Sequence, residues 1–215
     1  NGYKDESFIR LALMSQKLGK KVFIVVEKLD ELTMIERVAG ELGVKPNIGL
    51  RIKLVSAGQG RWSSSAGEYS KFGLNSMELM EALEIAKSKN ILDCVKLIHF
   101  HLGSQITNIR RIKNSLKEVG RFYSELMRFG CNIQYIDVGG GLGIDYDGSR
   151  STFASSTNYS VQEYANDVVY HLLEICKSEN LPHPNIISES GRAMTAHHSI
   201  LVVNVLDVTS FPEWS

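Results

Sequence analysis

Residues 134–143 read QYIDVGGGLG, an apolar strand that runs directly into four glycines within five positions. Glycine loses more backbone entropy on folding than other residues and buries no side chain, so such a cluster indicates that something approaches the backbone closely. Bare N–H groups in a glycine turn form a nest for anions, and phosphate is the expected ligand. An ordinary strand-to-helix turn is the alternative, although one or two glycines are enough for a turn.

A dinucleotide-binding fingerprint fits this stretch less well. That motif requires a helix to open at the glycines and an acidic residue about 20 positions later. A polar loop follows here instead, with DYDGSR at 145–150 and further polar residues to position 160.

The composition is that of an ordinary globular protein, with 43% hydrophobic and 22% charged residues in 215. The 24 basic and 24 acidic residues cancel, so no net field attracts nucleic acid or an anionic membrane. Cys94, Cys131 and Cys176 lack metal-ligand spacing and indicate reduced thiols in a cytoplasmic protein. No signal sequence or apolar run of membrane-spanning length is present, and Asn1 in place of Met suggests that the chain begins inside a longer one.

Short apolar runs alternate with helical patterns along the whole chain. Strands are predicted near residues 21–27, 47–54, 94–102, 133–138 and 185–189, with a further β-rich run at 199–208. Helix starts are expected at Asp30 and at two capping boxes, Asn75 with Glu78 and Ser160 with Glu163. The Gly- and Ser-rich stretch 56–70 is predicted to be a mobile loop. This order predicts a parallel α/β sheet, either doubly wound or part of a (β/α)8 barrel.

Polar side chains follow the carboxyl ends of these predicted strands, where parallel α/β folds place their active sites. They are Arg51 after the second strand; His99, His101 and Ser104 on and after the third; Asp137 and the glycines at the fourth; and Glu189 and Arg192 after the fifth. Strand parity puts His99 and His101 on one face. Either histidine alone could equally be a hydrogen-bonded core residue. No third ligand for a metal is evident in the sequence, so no metal site is predicted.

Three segments resemble the motifs of the biosynthetic arginine decarboxylases, a family of pyridoxal-phosphate enzymes with an alanine-racemase-like barrel that is related to ornithine and diaminopimelate decarboxylases. The segments read HFHLGSQ at 99–105, DVGGGLGIDYDG at 137–148 and SESGRAM at 188–194, and the phrases GYKD at 2–5 and SKFG at 70–73 fit as well. The resemblance covers nearly the whole chain. It implies pyridoxal phosphate as the cofactor and a partial (β/α)8 barrel containing about the last five of eight strands, in one incomplete domain over residues 1–215.

The resemblance also implies roles for individual residues. His101 would stack on the cofactor ring and Glu189 would pair with the ring nitrogen, which makes these two the catalytic candidates. Arg51 would line the floor of the site. The implied cofactor-binding set, mostly around the phosphate, is His101, Ser104, Asp137, Gly139, Gly140, Gly141, Leu142, Gly143, Glu189, Arg192 and Arg51; the implied substrate-lining set is Ile144, Asp145 and Tyr146.

Two parts of the family pattern are missing. No segment resembles the early strand that carries the Schiff-base lysine, and the C-terminal β domain that closes the site across a dimer is absent. The isolated chain is therefore expected to be inactive.

The parent enzyme implied by the resemblance converts L-arginine to agmatine and carbon dioxide for putrescine and spermidine synthesis. It would be a cytoplasmic homo-oligomer acting on a small amino acid, and the resemblance further implies magnesium without locating it. The alternatives are a decarboxylase for ornithine or diaminopimelate and a non-catalytic, barrel-derived binding protein, which the missing lysine would explain.

Overall fold

The computed structural model describes residues 1–57 and 70–210, in which helices and strands alternate. The helices are α1 (Glu6–Lys17), α2 (Leu29–Leu42), α3 (Ser76–Ser88), α4 (Ile109–Phe129), α5 (Val161–Glu179) and the short α6 (Gly191–Thr195). The strands are β1 (Ile24–Val26), β2 (Ile48–Arg51), β3 (Val95–His99), β4 (Tyr135–Asp137) and β5 (Asn185–Ile187), and two 3₁₀ turns cover Val55–Ala57 and Leu92–Cys94.

The five strands form one parallel sheet in the order β1-β2-β3-β4-β5. A doubly wound sheet reverses its strand order at a switch point, whereas a barrel adds each strand beside the previous one. The sequential order therefore confirms the predicted partial (β/α)8 barrel. The register places Arg51, His99 and Asp137 side by side at the carboxyl ends of β2, β3 and β4.

Local signals explain most helix boundaries. Both predicted capping boxes are present, with Asn75 and Glu78 opening α3 and Ser160 and Glu163 opening α5. The expected cap at Asp30 is wrong: α2 begins after Lys28, and Asp30 lies in its first turn, where its carboxylate accepts from the N–H of Glu31. An acidic side chain one turn into a helix is also stabilising, so the residue type alone does not distinguish the two positions.

The core lies between the sheet and its helices. The three residues of β1 are buried, and so are the strand residues Leu97, Ile98 and Ile136. Ile98 and Ile136 belong to the same buried cluster as an apolar stripe of α4 that includes Leu116, Val119 and the fully buried Tyr123. None of the helices in the described ranges has the length and apolar character needed to cross a membrane.

Several boundaries differ from the sequence-based predictions. Every strand is shorter than expected because the residues beside the paired segment leave the ladder. After β3, Phe100 and Leu102 do so while staying buried. The β-rich run 199–208 forms no strand and is exposed, since no described strand lies beside it to supply hydrogen bonds. Most of the predicted loop 56–70 lies outside the described residues, and its first residues belong to the 3₁₀ turn.

Candidate functional site

The glycine turn after β4 packs directly against the neighbouring strand ends. A Cβ added to Gly139 would lie 2.3 Å from the carbonyl oxygen of Phe100, one on Gly140 would lie 2.3 Å from that of Glu189, and one on Gly141 would lie 1.8 Å from that of Gly103. Gly139 and Gly141 also have positive φ angles of 66° and 83°. The close approach that the sequence indicated is thus made first of all by the protein's own backbone.

Some N–H groups of this turn are already hydrogen-bonded within the chain. The N–H of Gly139 donates to Asp137 Oδ1 at 2.9 Å, and that of Gly140 points at His101 Nδ1 at 3.4 Å. The N–H of Glu189 donates to the carbonyl of Gly139 at 2.8 Å. The turn, Asp137 and Glu189 therefore form one connected backbone unit at the sheet edge.

Ser104 and Arg192 meet beside this turn although 88 positions separate them in the sequence. The guanidinium Nη2 of Arg192 donates to Ser104 Oγ at 2.8 Å. Both residues are exposed, and Arg192 Nη1 lies 3.4 Å from Gln105 Oε1. A guanidinium and a hydroxyl at the edge of a glycine turn make a donor set suited to a phosphate group.

Glu189 occupies the other side of the same edge. One carboxylate oxygen accepts from the side chain of Asn1 at 2.9 Å, and the other lies 3.3 Å from His99 Nε2. The Glu189 side chain is 40% exposed while that of His99 is 1% exposed. A partly exposed carboxylate that contacts a buried imidazole can still pair with a cationic group.

His99 and Asp137 are buried beneath Glu189, and burial displaces both pKa values. Burial, with repulsion from Arg51, lowers the pKa of His99 to about 4. Burial raises the pKa of Asp137 to about 6, and the nearby Glu189 charge adds to the rise. His99 is therefore a neutral imidazole at neutral pH, able to donate one hydrogen bond without adding charge.

Arg51 lies at the carboxyl end of β2, beside His99 in the register of the sheet. Its guanidinium pairs with Glu27 at 3.0 Å, with both side chains largely buried. Burial pushes the pKa of Glu27 upward, but the N–H of Gly2 and the positive Arg51 outweigh it and hold that pKa below its ordinary value. Desolvation of the ring and the same Arg51 charge lower the pKa of His101, although part of that residue is open to solvent.

The residues predicted to line the substrate lie on the polar loop after the glycines. Ile144 is buried and hydrogen-bonds to Gln105 through its backbone, while Asp145 accepts from Ser156 Oγ at 2.6 Å. Tyr146 is exposed. Leu142 forms a parallel bridge with Ile106.

The next residue, Gly143, is also held in place. Its N–H donates to the hydroxyl of Tyr159 at 3.0 Å. The loop is therefore well anchored at its start.

His99, Asp137 and Glu189 each place one donor atom within 4.8 Å of the others. The sequence suggested no third ligand for a histidine-based metal site, because carboxylates at the ends of two other strands are not visible as a spacing motif. One imidazole and two carboxylates form a donor set that divalent transition metals accept. An ion there would use the Glu189 carboxylate, so it would compete with any cationic group paired to Glu189.

Four residues at the site were not predicted: Asn1, Glu27, His99 as the partner of Glu189, and Gln105. Their contacts join segments that are distant in the sequence, so local spacing carries no signal for them. Gln105 is the partial exception, since it belongs to the HFHLGSQ segment and adopts a positive φ of 48°.

Comparison with known proteins accounts for this arrangement. Residues 1–196 match the family described as pyridoxal-dependent decarboxylase, pyridoxal binding domain. The chain belongs to this family. A biosynthetic arginine decarboxylase from Bacteroides thetaiotaomicron is 56% identical over 215 residues, which is 100% of this chain and 34% of that protein. The chain spans about a third of the length of the curated relatives it matches.

Solved structures lead to the same family. The biosynthetic arginine decarboxylase of Campylobacter jejuni matches with a TM-score of 0.76 and 40% identity over 89% of this chain and 31% of that one. Diaminopimelate decarboxylase of Helicobacter pylori, solved with L-lysine, matches with a TM-score of 0.69 and 27% identity, covering 87% of this chain and 43% of that one.

The residues at the sheet edge fit the cofactor of this family. Ser104 and Arg192 present donors that suit a phosphate, and the Glu189 carboxylate at the same strand edge is partly exposed. The buried His99 is neutral at neutral pH and therefore places no additional positive charge beside Glu189.

Proposed function

We propose that the full-length protein is a pyridoxal-phosphate-dependent arginine decarboxylase that converts L-arginine to agmatine and carbon dioxide and so supplies polyamine synthesis. The observation that carries the proposal is the pairing of Ser104 and Arg192 beside the glycine turn, with the Glu189 carboxylate at the same strand edge. The arginine decarboxylase named above, 56% identical over the whole chain, supports arginine over related amino acids.

Different residues would bind different parts of the cofactor. Ser104, Arg192 and the glycine turn would bind the phosphate, and His101 would cover one face of the ring. Glu189 would accept a hydrogen bond from the ring nitrogen and hold a proton on that atom. When bound, pyridoxal phosphate takes up the electron pair left by departing carbon dioxide, and a protonated ring does so more readily.

Side chains of the chain itself determine the net charge around Glu189 and the ring nitrogen that it would contact. Arg51 is already paired with Glu27, so its positive charge is largely compensated. His99 supports Glu189 as a neutral donor. This arrangement leaves Glu189 as the carboxylate available to the ring nitrogen.

The proposal extends to localisation, substrate contacts and magnesium. Three free, buried cysteines support a cytoplasmic protein. Ile144, Asp145 and Tyr146 are proposed to line the substrate because their loop begins at the glycine turn. We assign magnesium no residues, since the His99, Asp137 and Glu189 cluster contains an imidazole and lies in the cofactor's place, whereas Mg²⁺ prefers an oxygen-only shell.

Carbon dioxide release tests the proposal. The full-length protein, loaded with pyridoxal phosphate, is supplied separately with L-arginine, L-ornithine and diaminopimelate. Release from arginine at a rate at least tenfold above the other two is expected. Preference for another amino acid would reassign the substrate, and no release from any of them, with cofactor bound, would favour a binding protein.

The 215-residue chain serves as the matched control. It is expected to release no carbon dioxide, because the early strands of the family pattern, one of which carries the anchoring lysine, lie outside it. Turnover by this chain alone would contradict that part of the proposal.

A further inference from the structure

The side chain of Gln105 lies between Arg192 and the loop that follows the glycine turn, both of which belong to the proposed phosphate site. Its Oε1 accepts from the N–H of Ile144 at 3.0 Å and lies 3.4 Å from Arg192 Nη1. Its Nε2 donates to the carbonyl of Ile144 at 2.7 Å and to that of Ser156 at 3.3 Å. One amide thus contacts the loop after the glycines three times and the guanidinium once.

These contacts determine which way the amide faces. Pairing with both the N–H and the C=O of Ile144 is possible in only one orientation, because the reverse would set donor against donor and acceptor against acceptor. In that orientation Oε1, the acceptor, faces Arg192. The positive φ of Gln105 is an uncommon conformation for a residue with a side chain, and it places the amide at this point.

We infer that Gln105 is a positioning residue of the phosphate site, holding the Arg192 guanidinium beside Ser104 and linking it to the loop that starts at Ile144. The inference rests on the proposed function, since the phosphate of the cofactor is the ligand that Arg192 would bind.

Arg192 needs such support because of where it lies. It is exposed, and it belongs to a helix of only five residues whose side chains are not buried. A free arginine side chain loses substantial rotamer entropy when it binds an anion. Contacts with Ser104 and Gln105 before binding reduce that loss, which is the usual benefit of preorganisation.

Cofactor selectivity separates this role from a merely structural one. In the full-length protein, dissociation constants are measured for pyridoxal phosphate and for pyridoxal, which lacks the phosphate. Gln105→Met removes the amide at similar length, and we expect it to weaken pyridoxal phosphate binding about fivefold or more with less than a twofold change for pyridoxal. Equal losses for both compounds, or no loss, would overturn the inference.

Gln16→Met is the matched control. Gln16 also donates to a backbone carbonyl, that of Lys45, but it lies on α1, away from the strand edge that carries Arg192. Neither dissociation constant is expected to change in this variant. A selectivity change as large as that of Gln105→Met would show that the effect does not come from the phosphate site, and would also overturn the inference.

A double-mutant cycle with Arg192→Ala tests the coupling itself. If Gln105 acts through Arg192, Gln105→Met should change selectivity less than twofold once the guanidinium is gone. Fully additive losses would overturn the inference. A wild-type protein that binds neither compound would contradict the proposed function instead, so the two failures are distinguishable.

Gln105→Glu keeps the test valid if the methionine variant loses stability. It retains the acceptor oxygen but adds a negative charge beside Arg192, where it would compete with the phosphate. We expect a larger selective loss of pyridoxal phosphate binding than with methionine. Wild-type selectivity in Gln105→Glu would count against the role of Gln105.

Discussion

The phosphate side and the ring-nitrogen side of the proposed cofactor site use different kinds of contact. On the phosphate side, the glycine turn, Ser104 and Gln105 act through backbone groups and neutral side chains, with Arg192 as the single charge. On the ring-nitrogen side, the contacts run through charged or titratable groups: Glu27 with Arg51, and Glu189 with His99. The first side depends mainly on shape and the second on electrostatics.

This difference follows from what each side would bind. A phosphate is recognised by several converging N–H and O–H donors, which require the backbone to approach closely and therefore require glycine. A ring nitrogen presents one proton, so a single carboxylate of the right charge is sufficient. Substitutions on the first side should therefore act through geometry and binding, and those on the second through charge and turnover.

The largest effect is expected where the two sides meet, at Gly140. A Cβ there would lie 2.3 Å from the carbonyl oxygen of Glu189, which is backbone and cannot rotate away. In the full-length protein, Gly140→Ala should lower the free energy of unfolding by about 3 kcal/mol or more, as measured by urea denaturation. It should also displace Glu189 and so weaken both sides together.

Gly40→Ala in α2 is the control for this substitution. A Cβ at Gly40 meets no atom within 4 Å, and the residue lies inside a helix, so a gain of about 0.5–1 kcal/mol is expected. If Gly140→Ala unfolded at the wild-type urea concentration, the turn would be less tightly packed than the structure indicates. Gly140 would then not couple the phosphate side to the ring-nitrogen side.

Much of this fold could be predicted because its signals are local. Asn75 and Ser160 cap their helices through contacts with residues three positions later. All five strands lie within the predicted runs. The sequence alone left open the choice between a barrel and a doubly wound sheet. Strand order decided it, and that order arises from pairing between distant segments.

The site was less predictable for the same physical reason. The resemblance implied that Ser104, Arg192 and Glu189 belong to one site, and the structure brings Ser104 and Arg192 into contact. The pairing of His99 with Glu189 joins residues 90 positions apart and depends on the register of three strands. The glycines were correctly singled out, but the group that approaches them most closely is the neighbouring backbone.

Glu189 gives the sharpest test of the electrostatic side. Glu189→Gln keeps the size and hydrogen-bonding ability of the side chain but removes the charge that would hold the ring nitrogen protonated. Turnover of the full-length enzyme at saturating cofactor is expected to fall tenfold or more, where each factor of ten corresponds to about 1.4 kcal/mol. Cofactor affinity should fall less, because the effect is greater in the transition state than in the ground state.

Glu163→Gln, at the exposed start of α5, is a suitable control because the Glu163 carboxylate accepts hydrogen bonds from Ser160 in its own capping box. It should leave turnover within twofold of wild type. Near-normal turnover in Glu189→Gln would mean that Glu189 serves only as a hydrogen-bond acceptor at a strand end.

The smallest effect is expected from Asp137, which lies beneath both sides. Burial raises its pKa to about 6, so the folded chain holds this proton more tightly than the unfolded chain does. The resulting stabilisation is complete at pH values below the ordinary aspartate pKa and is lost as the pH rises through about 6. Above that pH, the buried carboxylate destabilises the fold.

Asp137→Asn removes this ionisation and keeps Oδ1 as an acceptor for the N–H of Gly139. In the cofactor-free, full-length protein, the variant should exceed wild type in free energy of unfolding by about 1 kcal/mol at pH 8, and the difference should shrink towards pH 5. His99 is present in both proteins, so its own titration largely cancels in the difference between them. Urea denaturation at pH 5, 6.5 and 8 measures the trend. A difference that stays constant across this range would mean that Asp137 does not titrate there, contrary to the raised pKa.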